Sequence, residues 1–167
     1  MAWFESRQKP YRIHGDVSNQ RLIATRLIEP LERILVFTGP RITYRKVELL
    51  PNPDLALQIG RDSYILCKND GRFVDHSCSP NCGIINDNTL VAVRPVYRGT
   101  TITMDYSTTQ DRWTECDFDC ECGERECRKK IAGFETLAPS LQQDYLQHGI
   151  VQDFLVQRYR RKHCNKP

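Results

Sequence analysis

The sequence predicts a mainly β domain followed by a short helical tail. Short apolar runs broken by turn residues fill positions 11–106. Helical spacing of apolar residues begins only after Ser140, and a dense group of cysteines separates the two regions. The 167 residues suit one domain with an appendage. A chain of this size can bury a real core without disulfide staples. Its 40% hydrophobic and 27% charged content excludes wholesale disorder. The 24 Lys and Arg against 21 Asp and Glu leave a net charge of +3, too small to name a nucleic-acid partner.

The elements follow in order. His14-Gly15-Asp16 reads as a turn before Leu22-Ile23-Ala24. Arg33 to Phe37 reads as a buried strand and Thr38-Gly39-Pro40 as the turn after it. Ile42 to Leu50 fits either a strand or a short helix, and Pro51-Asn52-Pro53-Asp54 breaks the chain. Leu55 to Ile59 and Tyr64 to Leu66 alternate as strands do. Asn69-Asp70-Gly71 has the composition of a hairpin turn. Thr89 to Val93 and Thr101 to Tyr106 complete the strand set. In the tail, Ser140 is the expected cap of a helix carrying Leu141, Tyr145 and Leu146, and Gly149 is its stop. Val151 to Tyr159 predicts a second helix, and Arg158 to His163 a solvated basic end.

No apolar run reaches the length of a membrane span. Met1 to Pro10 contains no apolar signal core, so an intracellular, reducing location is expected and no membrane partner. The eight cysteines then point to metal rather than to disulfides. Cys116, Cys120, Cys122 and Cys127 crowd together, and Gly123 permits a turn that returns Cys127 toward Cys120 and Cys122. Tetrahedral zinc needs four such ligands, so a fourth must come from elsewhere in the chain or from water. Arg125, Arg128, Lys129 and Lys130 would offset the thiolate charge. Cys67 is expected in the core and Cys164 as a surface thiol. Cys82 and Cys116 remain competing candidate ligands. His14, His148 and His163 show no ligand spacing.

The polar run Phe73-Val74-Asp75-His76-Ser77-Cys78-Ser79-Pro80-Asn81 is costly to bury and implies an exposed loop or a shaped site. It resembles the Phe-x-Asn-His-Ser-Cys-x-Pro-Asn segment of the SET-domain protein lysine methyltransferases. Ile102 to Tyr106 resembles that family's strand ending in Phe-Asp-Tyr. Cys120 to Ile131 resembles its post-SET element, Cys-x-Cys-Gly-x-x-x-Cys-Arg-x-x-Ile. Arg21 to Gly39 is similar to the family's opening strands. The resemblance spans roughly residues 12–131, and the tail is similar to that of short bacterial members.

The resemblance implies a SET-domain β-clip: small curved sheets with a pseudoknot formed by the two motif segments, plus C-terminal helices. It divides the chain into a SET catalytic domain over 11–115, a post-SET zinc segment over 116–132 and a helical tail over 133–167. It implies transfer of a methyl group from S-adenosylmethionine to a protein lysine, with a histone tail or another protein as substrate. Tyr106 is the implied catalytic residue. Asp75, His76, Tyr106, Phe118 and Leu22 are the implied cofactor contacts, although Phe118 equally suits a plain hydrophobic anchor. Cys78, Cys120, Cys122 and Cys127 are the implied ligands of one structural zinc, and Asn81 the implied hydrogen-bonding support. The sequence departs from the pattern at Asp75, where the family has Asn, and at Asn19 to Ile23, which lacks the family's Gly-x-Gly. Phe37 stands where many members have Tyr, and methylation degree stays open. A catalytically weak binding module is the alternative reading, a zinc-stabilised nucleic-acid contact a more remote one, and the chain is expected as a monomer or homodimer.

Overall fold

The chain is described by a computed structural model over residues 8–111 and 118–164; for Phe118 and Cys164 the description is of the backbone. Cys116 lies outside the described residues, as do the side chains of Phe118 and Cys164. Apolar runs this short cannot form one broad sheet, and five small sheets result among the described residues. Strands β1 (Tyr11–His14) and β2 (Arg21–Ala24) pair antiparallel. Strand β3 (Arg33–Val36) pairs with β9 (Thr89–Ala92), which also pairs with β8 (Cys82–Ile85). Strand β4 (Arg41–Ile42) and β5 (Ala56–Gly60) flank β6 (Ser63–Leu66). Between β4 and β5 lies a single helical turn, α1 (Tyr44–Val47), so the segment after Ile42 is helix rather than strand.

One expected turn fails for a physical reason. Asn69-Asp70-Gly71 is not a hairpin; Asp70–Phe73 form a 3-10 turn. Asn69 is committed to a distant strand end instead. Its Nδ2 donates to the Val36 carbonyl at 2.7 Å, and its Oδ1 accepts the Thr38 amide at 3.2 Å. The Asp70 carboxylate accepts from Lys9 Nζ at 2.6 Å and from Tyr11 Oη at 3.1 Å. Gly71 is required by close approach, since a Cβ there would sit 2.5 Å from the Phe37 ring. A tight hairpin forms instead between β8 and β9, with Asn86 and Asp87 at φ 49° and 66°. Both residue types tolerate that left-handed geometry.

The segments that resemble family motifs meet as the parallel pair β7 (Asp75–His76) and β10 (Thr103–Met104). Asn81 pins the junction: its Nδ2 donates to the Thr101 carbonyl at 2.8 Å and its Oδ1 accepts the Thr103 amide at 2.9 Å. The strand expected over Thr101 to Tyr106 forms only at Thr103–Met104, and Tyr106–Thr108 turn as a 3-10 helix in which the Asp105 carboxylate accepts the Ser107 amide at 3.0 Å. After the cysteine-rich segment, β11 (Phe118–Asp119) pairs with β12 (Lys130–Ile131).

The tail forms α2 (Pro139–Gln147) and α3 (Asp153–Cys164). Pro139 opens α2, where its missing N–H costs nothing, so Ser140 is inside the helix and no side chain caps it. Gly149, at φ 66°, ends the first helix as expected. The expected basic end is the continuation of α3. Arg158 is paired with Asp111, and its Nε lies 2.7 Å from Glu135. The tail packs its own apolar cluster, Phe134, Leu137, Tyr145, Ile150, Val151 and Leu155, against Ile85 and Val93 of the β domain. A Cβ on Gly83 of β8 would lie 2.5 Å from Ile150. Gly83→Ala is therefore expected to cost about 1–3 kcal/mol, seen as a lowered urea midpoint with an unchanged slope. An unchanged midpoint would mean that the tail yields freely.

Candidate active site

The 3-10 turn after β10 carries the central tyrosine. The Tyr106 hydroxyl donates to the Val74 carbonyl at 2.7 Å. Its proton is thereby occupied, and the oxygen lone pairs remain for another partner. Burial, with Asp75 and Asp54 adding negative charge, raises its pKa far above the ordinary tyrosine value. Tyr106 is thus held neutral. Its backbone N–H donates to His76 Nδ1 at 3.2 Å, and the two rings lie 5.2 Å apart.

Two cavities adjoin this point. One, of about 420 Å³, is lined by Phe37, Tyr44, Tyr64, Val74, Met104 and Tyr106, with Glu48, Asp54 and Arg72 also on its lining. Burial pushes the Tyr64 hydroxyl up to about 12, so this aromatic wall is uncharged. The other, of about 580 Å³, is lined by Arg21, Asp75, His76, Ser77, Asn81 and Arg94 together with Cys120, Glu121, Cys122 and Glu124. Ile131 of β12 lines both. Asp75 is raised above the usual carboxylate range by burial, a shift partly offset by the Arg21 guanidinium. Arg21 Nη2 donates to Asn19, while its buried Nε has no partner among the described residues.

Beside the second cavity the thiols assemble. Ligand atoms of His76, Cys78, Cys120 and Cys122 all lie within 4.8 Å of one another. The Cys78 and Cys120 sulfurs are 3.7 Å apart. That matches the ligand edge of a tetrahedron with metal–sulfur bonds of about 2.3 Å. Cys127 stands alongside, its thiol 3.4 Å from the Cys120 carbonyl and accepting the Lys129 amide at 3.4 Å. Burial above all pushes the Cys120 thiol up to about 12. Burial also acts against ionisation of Cys122, but backbone donors at Cys78 and Glu124 and the neighbouring thiols outweigh it and bring that group down to about 7. The thiols cannot ionise together without a cation among them. The donor set therefore fits a thiophilic divalent metal such as zinc.

Several residues depart from expectation. Leu22 is 0% exposed and belongs to the core, with its carbonyl accepting the Ile102 amide at 2.9 Å. Its neighbour Arg21 reaches the cavity instead. Cys82 is likewise 0% exposed, its thiol pushed up to about 12 by burial, and it is no competitor for metal. Cys67 is in the core as expected. Asp105 had no assigned role, yet its carboxylate accepts Arg128 Nη2 at 2.8 Å and the Tyr145 hydroxyl at 2.9 Å. An acid preceding Tyr106 inside an apolar strand was the available signal.

A SET-domain family model matches residues 19–107, more than half of the chain. The chain belongs to the SET-domain family. It is 33% identical over 87 residues to a histone-lysine N-methyltransferase, H3 lysine-36 specific, of Candida albicans, covering 46% of this chain and 10% of that one. It is 34% identical over 83 residues to the histone-lysine N-methyltransferase ASHH3 of Arabidopsis thaliana, covering 46% of this chain and 22% of that one. The matches thus span a quarter or less of those relatives. The methyltransferase domain of human histone-lysine N-methyltransferase SETMAR superposes with a TM-score of 0.59 at 16% identity, over 75% of this chain and 59% of that one. That likeness bears on the fold, and it agrees with the small sheets and C-terminal helices described above. No described helix is long and apolar enough to cross a membrane.

Asp105 gives the site its most direct test. Arg128→Met leaves a fully buried carboxylate with only the Ser107 amide and the Tyr145 hydroxyl. The expected loss is about 3 kcal/mol in urea unfolding at neutral pH. A loss below about 1 kcal/mol would show that the pair is not needed to hold Asp105.

Proposed function

We propose that this SET domain is a protein-lysine N-methyltransferase that takes its methyl group from S-adenosylmethionine. The observation that carries the reading is a pair of cavities that share Ile131, one lined by Tyr106 and the other by His76, whose rings lie 5.2 Å apart. Bound S-adenosylmethionine supplies a methyl group already activated by a sulfonium charge. The polar cavity suits that molecule: Arg21 offers an unpartnered guanidinium nitrogen to a carboxylate, and Asp75 offers negative charge to an ammonium or sulfonium. His76 contributes to the wall, and Tyr106 lies behind it on the lining of the other cavity. The adenine role of Phe118 stays an expectation.

The aromatic cavity suits a lysine side chain. Phe37, Tyr44, Tyr64 and Met104 offer it an apolar sleeve that excludes water. Desolvation there lowers the lysine pKa from its ordinary ~10.4 and favours the neutral amine needed for attack. Tyr106, held neutral, is an orienting group and not a base. With its O–H donated to the Val74 carbonyl, its oxygen lone pairs are left to align the reacting atoms. A histone tail is the first substrate to test, as the names of the relatives indicate. One zinc held by Cys78, Cys120, Cys122 and Cys127 would tie the cysteine segment to β7.

The test is labelled-methyl transfer to histones and to a cell lysate, with zinc content and melting followed in parallel. Tyr106→Phe is expected to lower transfer about a hundredfold or more while zinc and fold persist. Saturable cofactor binding with no transfer to any lysine would favour the alternative, a binding module that has kept the fold without turnover.

Asp75 predicts a pH dependence. The ionised carboxylate is the form that attracts a sulfonium, and its pKa is raised by burial. Cofactor affinity should therefore fall on acidification while still above the ordinary carboxylate range. In the free protein the sign is opposite: the fold favours protonated Asp75, so stability drops as pH rises through that range. Calorimetric titration should show the affinity loss in wild type and a flatter profile in Asp75→Asn. Identical profiles would remove Asp75 from the site.

A further inference from the structure

We infer that His76 is a hydrogen-bond relay between the zinc thiolates and the catalytic tyrosine, and not itself a zinc ligand. The inference deepens the proposed function and rests on its zinc reading.

Geometry alone leaves the ligand set ambiguous, because a His76 ring nitrogen falls inside the same cluster as the Cys78, Cys120 and Cys122 sulfurs. Hydrogen bonding resolves it. The Tyr106 backbone N–H points at His76 Nδ1 at 3.2 Å. A backbone amide can only donate, so Nδ1 must present its lone pair. A neutral imidazole then carries its proton on Nε2. That nitrogen faces the Cys78 sulfur at 3.4 Å, the separation of an N–H donor to sulfur. Were Nε2 to ligate zinc while Nδ1 accepts from Tyr106, the ring would have to lose both protons. The opposite tautomer would aim a proton at the Tyr106 amide. The nearby oxygen that could accept such a proton, Asp105 Oδ1, is 3.7 Å away and already serves Arg128 and Ser107. The His76 side chain is only 6% exposed, so water cannot readily repair a wrong tautomer.

Cys78 thus receives two N–H groups, from His76 and from the Arg128 backbone at 3.4 Å. Such donors drain charge from a metal-bound thiolate and hold its position. The fourth zinc ligand is then Cys127. The path Cys78, His76, Tyr106 amide carries the order of the metal segment to the residue that orients the methyl transfer. His76 is a positioning residue in this scheme.

Two measurements on the zinc-loaded full chain decide it. Long-range proton–nitrogen correlation of labelled histidine reads the tautomer directly and needs no mutation. The expected result is a proton on Nε2 with no metal bound to either nitrogen. Cobalt substitution then counts sulfurs: wild type and His76→Asn should both show a four-thiolate spectrum. In His76→Asn the sulfur-to-cobalt charge-transfer band should shift, and zinc loss to a chelator should quicken about tenfold. His76→Gln, which keeps a donor at the outer position, should restore the slow release. A proton on Nδ1, a metal-bound nitrogen, a three-thiolate wild-type spectrum, or unchanged release in His76→Asn would each overturn the relay. Absence of bound zinc from the purified protein would overturn the zinc reading and the relay together. Nitrogen ligation would overturn the relay alone.

Discussion

The buried carboxylate of Asp105 is the constraint on which the remaining structure depends. Taking an ionised carboxylate out of water costs several kcal/mol unless its partners are in place. Here the partners come from three parts of the chain: the Ser107 amide beside it, the Arg128 guanidinium after the cysteine cluster, and the Tyr145 hydroxyl of α2. Removing any one of them leaves the buried carboxylate less well compensated. The β domain, the cysteine segment and the helical tail are therefore assembled around one side chain. The tail is not an appendage in the energetic sense. Its apolar cluster, packed on Ile85 and Val93, and the ion pair of Arg158 with Asp111 bind it to the β domain.

Asp105 also sets the geometry of the chemistry. It immediately precedes Tyr106, and its capping of Ser107 turns the chain so that Tyr106 lies against Val74 and His76. Neutrality of the tyrosine follows from burial beside Asp75 and Asp54. Charged side chains line both cavities, but the first is crowded with aromatic rings while Arg21, Asp75, Glu121 and Glu124 make the second polar. That division suits a reaction in which a charged donor meets an uncharged amine. In the proposed reaction the protein supplies alignment and exclusion of water rather than a base in contact with Tyr106.

Reading the sequence succeeded where chemistry is local and failed where partners are distant. The polar run from Asp75 to Asn81 and the spacing of Cys120, Cys122 and Cys127 are local signals, and the structure brings them together. Asn69-Asp70-Gly71 has hairpin composition, but Asn69 bonds to Val36 and Thr38, more than thirty positions away. Cys82 shares its neighbourhood in sequence with Cys78, yet strand alternation turns it into the core. Leu22 was implied as a cofactor contact by its position in the segment that corresponds to the family's cofactor loop, while its place in β2 buries it and leaves Arg21 at the cavity.

The sequence by itself determined the class of the molecule. Its short alternating strands define a β-rich domain, its crowded thiols a cluster suited to a metal, and the order of its three motif segments the likeness to the SET-domain family. Those are properties of residue type and spacing, which the chain carries whether folded or not. Only the tertiary structure decided which donors face which charges. The role of Asp105, the inward turn of Leu22 and Cys82, the anchoring of Arg158 and the orientation of the His76 ring each depend on groups remote in sequence. A hydrogen bond or ion pair requires contact within a few ångströms, and spacing along the chain does not fix that distance.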